Sequence, residues 1–225
     1  MQRLTTGSII EVFIKDINRY AYLKYINVND FIEHVNFPFQ FRVNENFYKA
    51  PLEDTGSLDF DHLLFSPLHL AGFKDLIKIG EWKIKGKHDI AFYDKQQHHY
   101  KMAWPPSLII LFNDIKEWRV LEEINNINQG KLVPYERCAH LEYVENLGAD
   151  YLSFRLIIEY YKAKGEKIDI DNSGWSKFEK ALFSRYTNMP VYKNVPDEFK
   201  GRLLPDNYSG SLFWLKKNTG IDENM

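Results

Sequence analysis

Histidine and acidic residues cluster at two places in the chain where they could supply metal ligands. These residues are Asp59, Asp61, His62 and His69, followed by the adjacent His98 and His99. A structural zinc site needs four converging ligands and a catalytic site needs three. The two groups offer pairs of ligands without a recognisable hydrolase spacing such as H-E-x-x-H. A small metal-dependent hydrolase using these His and Asp clusters is the alternative hypothesis, while the sequence predicts no cofactor.

Other catalytic chemistries lack the patterns that normally accompany them. Ser66 and Ser107 have no nucleophile-elbow context, and no general base can be assigned to Cys138. The glycine-rich phosphate loops G-x-G-x-x-G and G-x-x-x-x-G-K-[ST] do not occur. The sequence therefore predicts a protein that is not an enzyme.

Composition predicts a cytoplasmic protein. The formal net charge is -2 and the sequence pI is about 6.4, so no global positive charge would attract nucleic acid or anionic lipid. No apolar run approaches the roughly 18 residues of a membrane span, and residues 1–6 are polar where a signal peptide would need an apolar stretch. The single cysteine, Cys138, fits a reducing compartment. We therefore expect no membrane partner and no direct nucleic-acid partner.

The elements that would position any site begin with a predicted hairpin over residues 7–26. Ile10 and Val12 alternate along its first strand, Asp16 and Asn18 mark the turn, and the return strand carries Tyr22 among other tyrosines. An aromatic return strand suits either a binding face or a core, because aromatic residues are also ordinary strand formers. We favour the core interpretation.

Further strands are predicted over residues 34–43 and around Trp82, which two glycines bracket. The segment 93–106 has little periodicity and ends in two prolines, which predicts a loop. The segment 107–112 is almost entirely apolar, which predicts a buried strand.

The last third of the chain is predicted to be more helical. Residues 151–164 have one apolar helical face, a candidate N-cap in Asp150 and a stop in Gly165, although they also alternate as a strand would. A clearer helix is predicted from about residue 172 or 173 to Thr187. The predicted fold class is α+β, with a strongly bent, mostly antiparallel sheet in the N-terminal half, SH3-like or barrel-like. Helices are expected to concentrate after about residue 138.

Several stretches follow one another in an order known from one protein family. A glycine-led first strand (GSIIEVFI), an aromatic return strand (RYAYLKYI) and the strand GEWKIKG precede the stretch CAHLEYVENLGADYLSFRL. The most specific parts are Trp82 between its glycines and the Leu141-Glu142 pair followed by Arg155 and Leu156. This order resembles the Imm26-type immunity proteins of bacterial polymorphic toxin systems.

The resemblance implies a cytoplasmic protein that binds and neutralises a cognate toxin domain, and none of its residues is a catalytic signature. It extends from residue 7 to about residue 165. We therefore expect an immunity-protein-like domain over residues 1–165 and a helical and irregular C-terminal extension over residues 166–225, packed on the same domain. Neither the toxin nor the oligomeric state follows from the sequence.

Two groups of side chains are candidates for binding the toxin. The first group consists of the acidic residues Glu53, Asp54, Asp59 and Asp61, which form either an ordinary solvated loop or an acidic edge suited to a basic toxin such as a nuclease. The second group consists of the anchor-type residues Tyr93, His98, Tyr100 and Trp104.

A structural ion pair is expected between Glu142 and Arg155. Both charged residues are embedded among apolar neighbours, and an unpaired charge is costly to bury. The alternative is that both lie on the surface, where a pair contributes roughly 1 kcal/mol or less.

Overall fold

The structure is a computed structural model of the 225-residue chain, and it describes residues 3–32, 35, 37–104, 117–121, 130–144, 146–166, 168 and 174–206. The chain divides into two compact units. Unit 1 comprises residues 1–97 and 145–157, and unit 2 comprises residues 98–144 and 158–225. The division at residue 165, which rests on the family resemblance, stays a prediction.

The described residues form two sheets. Their strands are β1 (Ser8–Ile14), β2 (Arg19–Asn27), β3 (Phe39–Val43), β4 (Leu68–Ala71), β5 (Trp82–Lys87), β6 (Tyr100–Trp104), β7 (Glu117–Leu121), β8 (Lys131–Val133) and β9 (Asn146–Gly148). Unit 1 holds a six-stranded sheet in the order β5-β1-β2-β3-β4-β9, in which only the β4–β9 pair is parallel. Unit 2 holds the antiparallel sheet β6-β7-β8. A mostly antiparallel sheet in the N-terminal half is therefore confirmed.

The opening hairpin is part of the core of unit 1. Ile10, Val12 and Tyr22 are at most 1% exposed, which confirms the core interpretation. A short 3-10 turn joins β1 to β2, and Asn18 ends it in the left-handed region at φ 50°, a conformation that Asn tolerates better than most residues. Phe13 is the exception among the apolar residues of β1, because 44% of its side chain is exposed.

The glycine before β1 permits a close approach between two segments. Gly7 has φ 90° and accepts a backbone hydrogen bond of 2.9 Å from His88, which follows β5. A side chain at this position would collide with the His88 carbonyl oxygen, so glycine is required on both conformational and steric grounds. β5 itself confirms the predicted strand around Trp82, whose side chain is buried.

Helices concentrate in the C-terminal part of the chain. The described helices are α1 (Phe73–Lys78), α2 (Tyr135–Cys138), α3 (Ala149–Lys164) and α4 (Lys177–Thr187). The helical interpretation of residues 151–164 is confirmed, and Gly165 ends α3 with φ 68°. The predicted start of α4 at residue 172 or 173 lies outside the described residues, but residues 174–176 are described and not helical, so the predicted helix begins too early. The helix begins after Ser176, which forms a reciprocal capping box with Glu179.

The loop predicted over residues 93–106 is wrong for its second half. Residues Tyr100–Trp104 form β6 and pair in register with Glu117–Leu121 of β7. The strand predicted over residues 107–112 lies outside the described residues. Among the helices that the structure describes, none is long and apolar enough to cross a membrane.

Candidate partner-binding surface

The four acidic residues at positions 53–61, here called the acidic loop, all expose their side chains. Short-range hydrogen bonds shape this segment. Asp54 Oδ1 accepts a bond of 2.8 Å from the Gly56 N–H, and Asp59 Oδ1 accepts one of 2.7 Å from the Asp61 N–H. Such bonds from a side chain to the backbone two residues on stabilise turn conformations.

Buried side chains hold the acidic loop from below. Leu58 and Phe60 alternate with the acidic positions and are 7% and 1% exposed. The backbone carbonyls of this stretch accept bonds from buried side chains of the sheet: Asn44 Nδ2 donates to Asp59 over 2.6 Å, and an Arg42 nitrogen donates to Phe60 over 3.2 Å. The loop is therefore fixed by its own core residues and presents its carboxylates without needing to be ordered by a partner.

A third attachment joins the acidic loop to the segment after β5. Thr55 is buried, and its carbonyl lies 2.7 Å from His88 Nε2. The His88 ring also packs edge-on against Phe60, with 5.6 Å between the ring centroids. Both ends of the acidic stretch are thus anchored on unit 1.

The local charge of the acidic loop is uniformly negative. The sequence contains no lysine or arginine between Lys49 and Lys74. The hydrogen bond between Asp59 Oδ2 and His62 Nδ1, 2.7 Å long, lowers the pKa of Asp59, and the Asp61 N–H acts in the same direction. Asp59 therefore stays ionised at neutral pH, which gives the loop a persistent negative field.

Beside the acidic loop lies a short 3-10 turn, Phe92–Lys95, here called the aromatic turn. Its buried Asp94 accepts a bond of 2.8 Å from the Ala91 N–H and lies 2.6 Å from Lys24 Nζ. The Arg42 guanidinium is the second cation, with Nε 3.4 Å from Asp94 Oδ1. One buried carboxylate therefore ties the aromatic turn to β2 and β3.

Tyr93 connects the aromatic turn to the acidic loop. Its side chain is half-buried, its carbonyl accepts a bond of 3.4 Å from an Arg42 nitrogen, and its ring lies 4.5 Å from the Arg42 guanidinium carbon. Burial, the Asp94 charge and the interaction of the hydroxyl with the Asp61 carboxylate raise the pKa of Tyr93. The structure therefore brings together the first group of predicted residues and one member of the second.

The other members of the second group lie in unit 2, and two of them are buried. His98 and Tyr100 are 8% and 1% exposed, because His98 packs against Gly201 and Tyr100 lies within β6. Trp104 is the last residue of β6 and pairs with Glu117 through the backbone. An anchor residue has to be accessible to the partner, whereas His98 and Tyr100 are buried. Binding by this group stays a prediction.

Sequence reasoning missed the most exposed aromatic residue of the aromatic turn. Phe92 is 81% exposed, whereas its neighbour Tyr93 is partly covered. No local signal separates the two residues, since both are aromatic and adjacent. The two rings differ in their contacts, because Tyr93 packs on the Arg42 guanidinium whereas Phe92 faces solvent.

Glu142 and Arg155 are both buried, at 4% and 1% exposed, so the surface alternative is wrong for each. Glu142 Oε1 accepts a bond of 3.2 Å from the Tyr143 N–H. The Arg155 guanidinium carbon lies 4.6 Å from the centroid of the Phe65 ring. The ion pair between Glu142 and Arg155 stays a prediction.

The candidate metal ligands occupy different environments. His62 and Asp59 form an exposed pair, whereas His69 is buried in β4, where burial lowers its pKa to about 4. Within the part of the chain that the structure describes, no group of three or more His, Cys, Asp or Glu residues could hold a metal ion. Cys138 is buried, and burial raises its pKa to about 12, which leaves the thiol protonated and a poor nucleophile.

Comparison with known proteins gives no match: no family model matches the chain, and no curated protein or solved structure matches it significantly.

Proposed function

We propose that this protein is an immunity protein that binds a cognate bacterial toxin domain in the cytoplasm, one-to-one, and neutralises it without catalysis. The observation that carries the proposal is the acidic loop, which exposes four carboxylates on a backbone anchored by buried side chains. The order of motifs that resembles the Imm26-type family supports it. Membership of that family, and a strongly bent, SH3-like or barrel-like form of the sheet, belong to the same proposal.

A fixed acidic surface is well suited to a basic protein partner. Because the loop is already ordered, binding does not have to overcome the entropy of ordering it. The four negative charges of the acidic loop accelerate the encounter with a positively charged surface. A toxin that acts on nucleic acid carries such a surface, and carboxylates can occupy the positions of phosphates there.

The proposal is tested by co-expressing this protein with the toxin that is encoded by the neighbouring gene. Wild-type protein should protect the cells and co-purify with the toxin. A variant with the substitutions Glu53→Gln, Asp54→Asn, Asp59→Asn and Asp61→Asn should lose protection. If the wild-type protein binds no neighbouring toxin, the proposal is wrong.

A matched control removes the same amount of charge from exposed acidic residues elsewhere. Its substitutions are Asp16→Asn, Asp75→Asn, Glu81→Gln and Glu198→Gln. It should protect as well as the wild-type protein, which separates a local effect of the acidic loop from an effect of net charge. Trp104→Ala tests the second predicted surface in the same assay, and full protection by both it and the loop variant would eliminate both surfaces.

A further inference from the structure

Phe92 exposes an unusually large part of its side chain to solvent. At 81%, its exposed fraction is the highest among the large apolar side chains that the structure describes, ahead of Ile79 at 64%. Single exposed apolar residues are common on protein surfaces. Phe92 differs from an ordinary case because the turn that carries it is held by a buried charge cluster.

The backbone beneath Phe92 is attached on both sides. Asp94 accepts from the Ala91 N–H over 2.8 Å and pairs with Lys24 over 2.6 Å, and Lys24 Nζ also donates to the Asp89 carbonyl over 2.8 Å. These bonds bracket Phe92 from residue 89 to residue 94. An aromatic ring on a fixed backbone has only two side-chain torsions to order on binding, so its immobilisation costs little entropy.

Phe92 belongs to a strip of three side chains. In a 3-10 turn, residues i and i+3 project from the same side, which places Phe92 and Lys95 together. Lys95 Nζ lies 5.6 Å from the centroid of the Phe31 ring, and Phe31 is 38% exposed. We call Phe31, Lys95 and Phe92 the aromatic strip.

The aromatic strip adjoins the acidic loop. The Arg42 guanidinium joins the two, since it donates to the carbonyl of Tyr93, next to Phe92 in the chain, over 3.4 Å and to the carbonyl of Phe60, next to Asp59 and Asp61, over 3.2 Å. An apolar centre edged by carboxylates is the usual organisation of a protein interface, with an aromatic anchor at the centre and charges at the rim.

We infer that Phe92 is the anchor of the toxin-binding surface and inserts into an apolar pocket of the toxin domain that is bordered by lysine or arginine side chains. The inference rests on the proposed function. The pocket should have a cationic border because it faces the carboxylates of the acidic loop. Its interior should be apolar because it accommodates the Phe92 ring.

The two parts of the surface should have different kinetic signatures. Rim charges mainly affect the association rate and its dependence on salt, whereas a desolvated anchor mainly affects the dissociation rate. Phe92→Ala should therefore raise koff by about 10- to 100-fold and change kon by less than about threefold. The variant in which the four carboxylates of the acidic loop are neutralised should have a lower kon, and this kon should depend less on salt concentration.

The experiment measures binding of the neighbouring toxin domain, carrying an inactivating substitution, to full-length wild-type and variant protein. The matched control is Phe13→Ala, because Phe13 is a phenylalanine of the same unit that is 44% exposed and whose ring packs on Tyr20, outside the aromatic strip. It should leave kon and koff unchanged. Phe92→Ala should melt at the wild-type temperature, since the side chain is exposed.

Each other outcome overturns the inference. If the toxin binds and Phe92→Ala has the koff of Phe13→Ala, the anchor assignment is wrong while the proposed function stands. If Phe92→Ala abolishes self-association of the protein and leaves toxin binding unchanged, the strip is an interface between copies of this chain. If no toxin binds the wild-type protein, the proposed function is wrong and the inference that depends on it is wrong as well.

Discussion

The ammonium nitrogen of Lys24 lies 2.6 Å from a carboxylate oxygen of Asp94, and both side chains are almost completely buried. The pair joins the second strand of the sheet to a turn 70 residues further along the chain. Removing one partner of a buried pair leaves the other charge desolvated and costs about 3–5 kcal/mol. We expect Asp94→Asn to lower the free energy of unfolding by this amount, measured by urea denaturation at pH 7.

The exposed Asp89 provides the control for this prediction. Asp89→Asn removes a nearby carboxylate whose side chain faces solvent, and the free energy of unfolding should change by about 0.5 kcal/mol or less. Equal, small effects of both substitutions would show that the buried pair contributes little. Because Asp94 also holds the aromatic turn, its loss should weaken toxin binding under conditions in which the variant is still folded.

The parts of the fold that the sequence predicts correctly have local signals. The turn of the opening hairpin is marked by Asp16 and Asn18, and helix α3 ends where Gly165 permits a positive φ. The start of α4 also had a local signal, because Ser176 and Glu179 have the spacing of a capping box. The capping box places the first residue of the helix directly after Ser176, where α4 begins in the structure.

The remaining features depend on contacts between distant residues. β6 contains the alternation Tyr100, Met102 and Trp104, but Lys101 at a fully buried position obscures the pattern. Lys101 can be buried because its ammonium group donates a hydrogen bond of 2.6 Å to the carbonyl of Ala139, which lies 38 residues further along the chain. Likewise, composition predicts the exposed carboxylates of the acidic loop, whereas the turn that carries Phe92 is held by buried charges on two distant strands.

The predicted ion pair between Glu142 and Arg155 is tested by a double-mutant cycle. Because both residues are buried, Glu142→Gln and Arg155→Met should each lower the free energy of unfolding, by about 3–5 kcal/mol if they are partners. Partners should show a loss in the double variant that is smaller than the sum of the single losses.

The control cycle combines Arg155→Met with Glu11→Gln. Glu11 is also buried, but its carboxylate accepts from the Tyr22 hydroxyl over 2.7 Å. Losses in this cycle should add within about 0.5 kcal/mol. If the Glu142 and Arg155 losses are equally additive, the ion pair does not exist.

Two buried histidines predict that the protein loses stability in mild acid. Burial lowers the pKa of His69 and of His140 to about 4, against 6.5 for an exposed histidine. Between these values the unfolded chain binds protons that the folded chain does not, so stability is complete above pH 6.5 and falls as the pH decreases toward 4. Each histidine should contribute a loss of about 1.4 kcal/mol per pH unit near the middle of this range.

The measurement is urea denaturation between pH 7.5 and pH 4.5, a range in which the lowered pKa of Asp59 has little effect because that carboxyl titrates at lower pH. His69→Gln removes one titrating group and should make the pH dependence shallower by about half. Ile26→Val, a buried substitution that costs about 0.5–1.5 kcal/mol without a titratable group, should shift the whole curve in parallel. An unchanged slope in His69→Gln would show that this histidine binds its proton equally well in both states, which contradicts its burial as the cause of the lowered pKa.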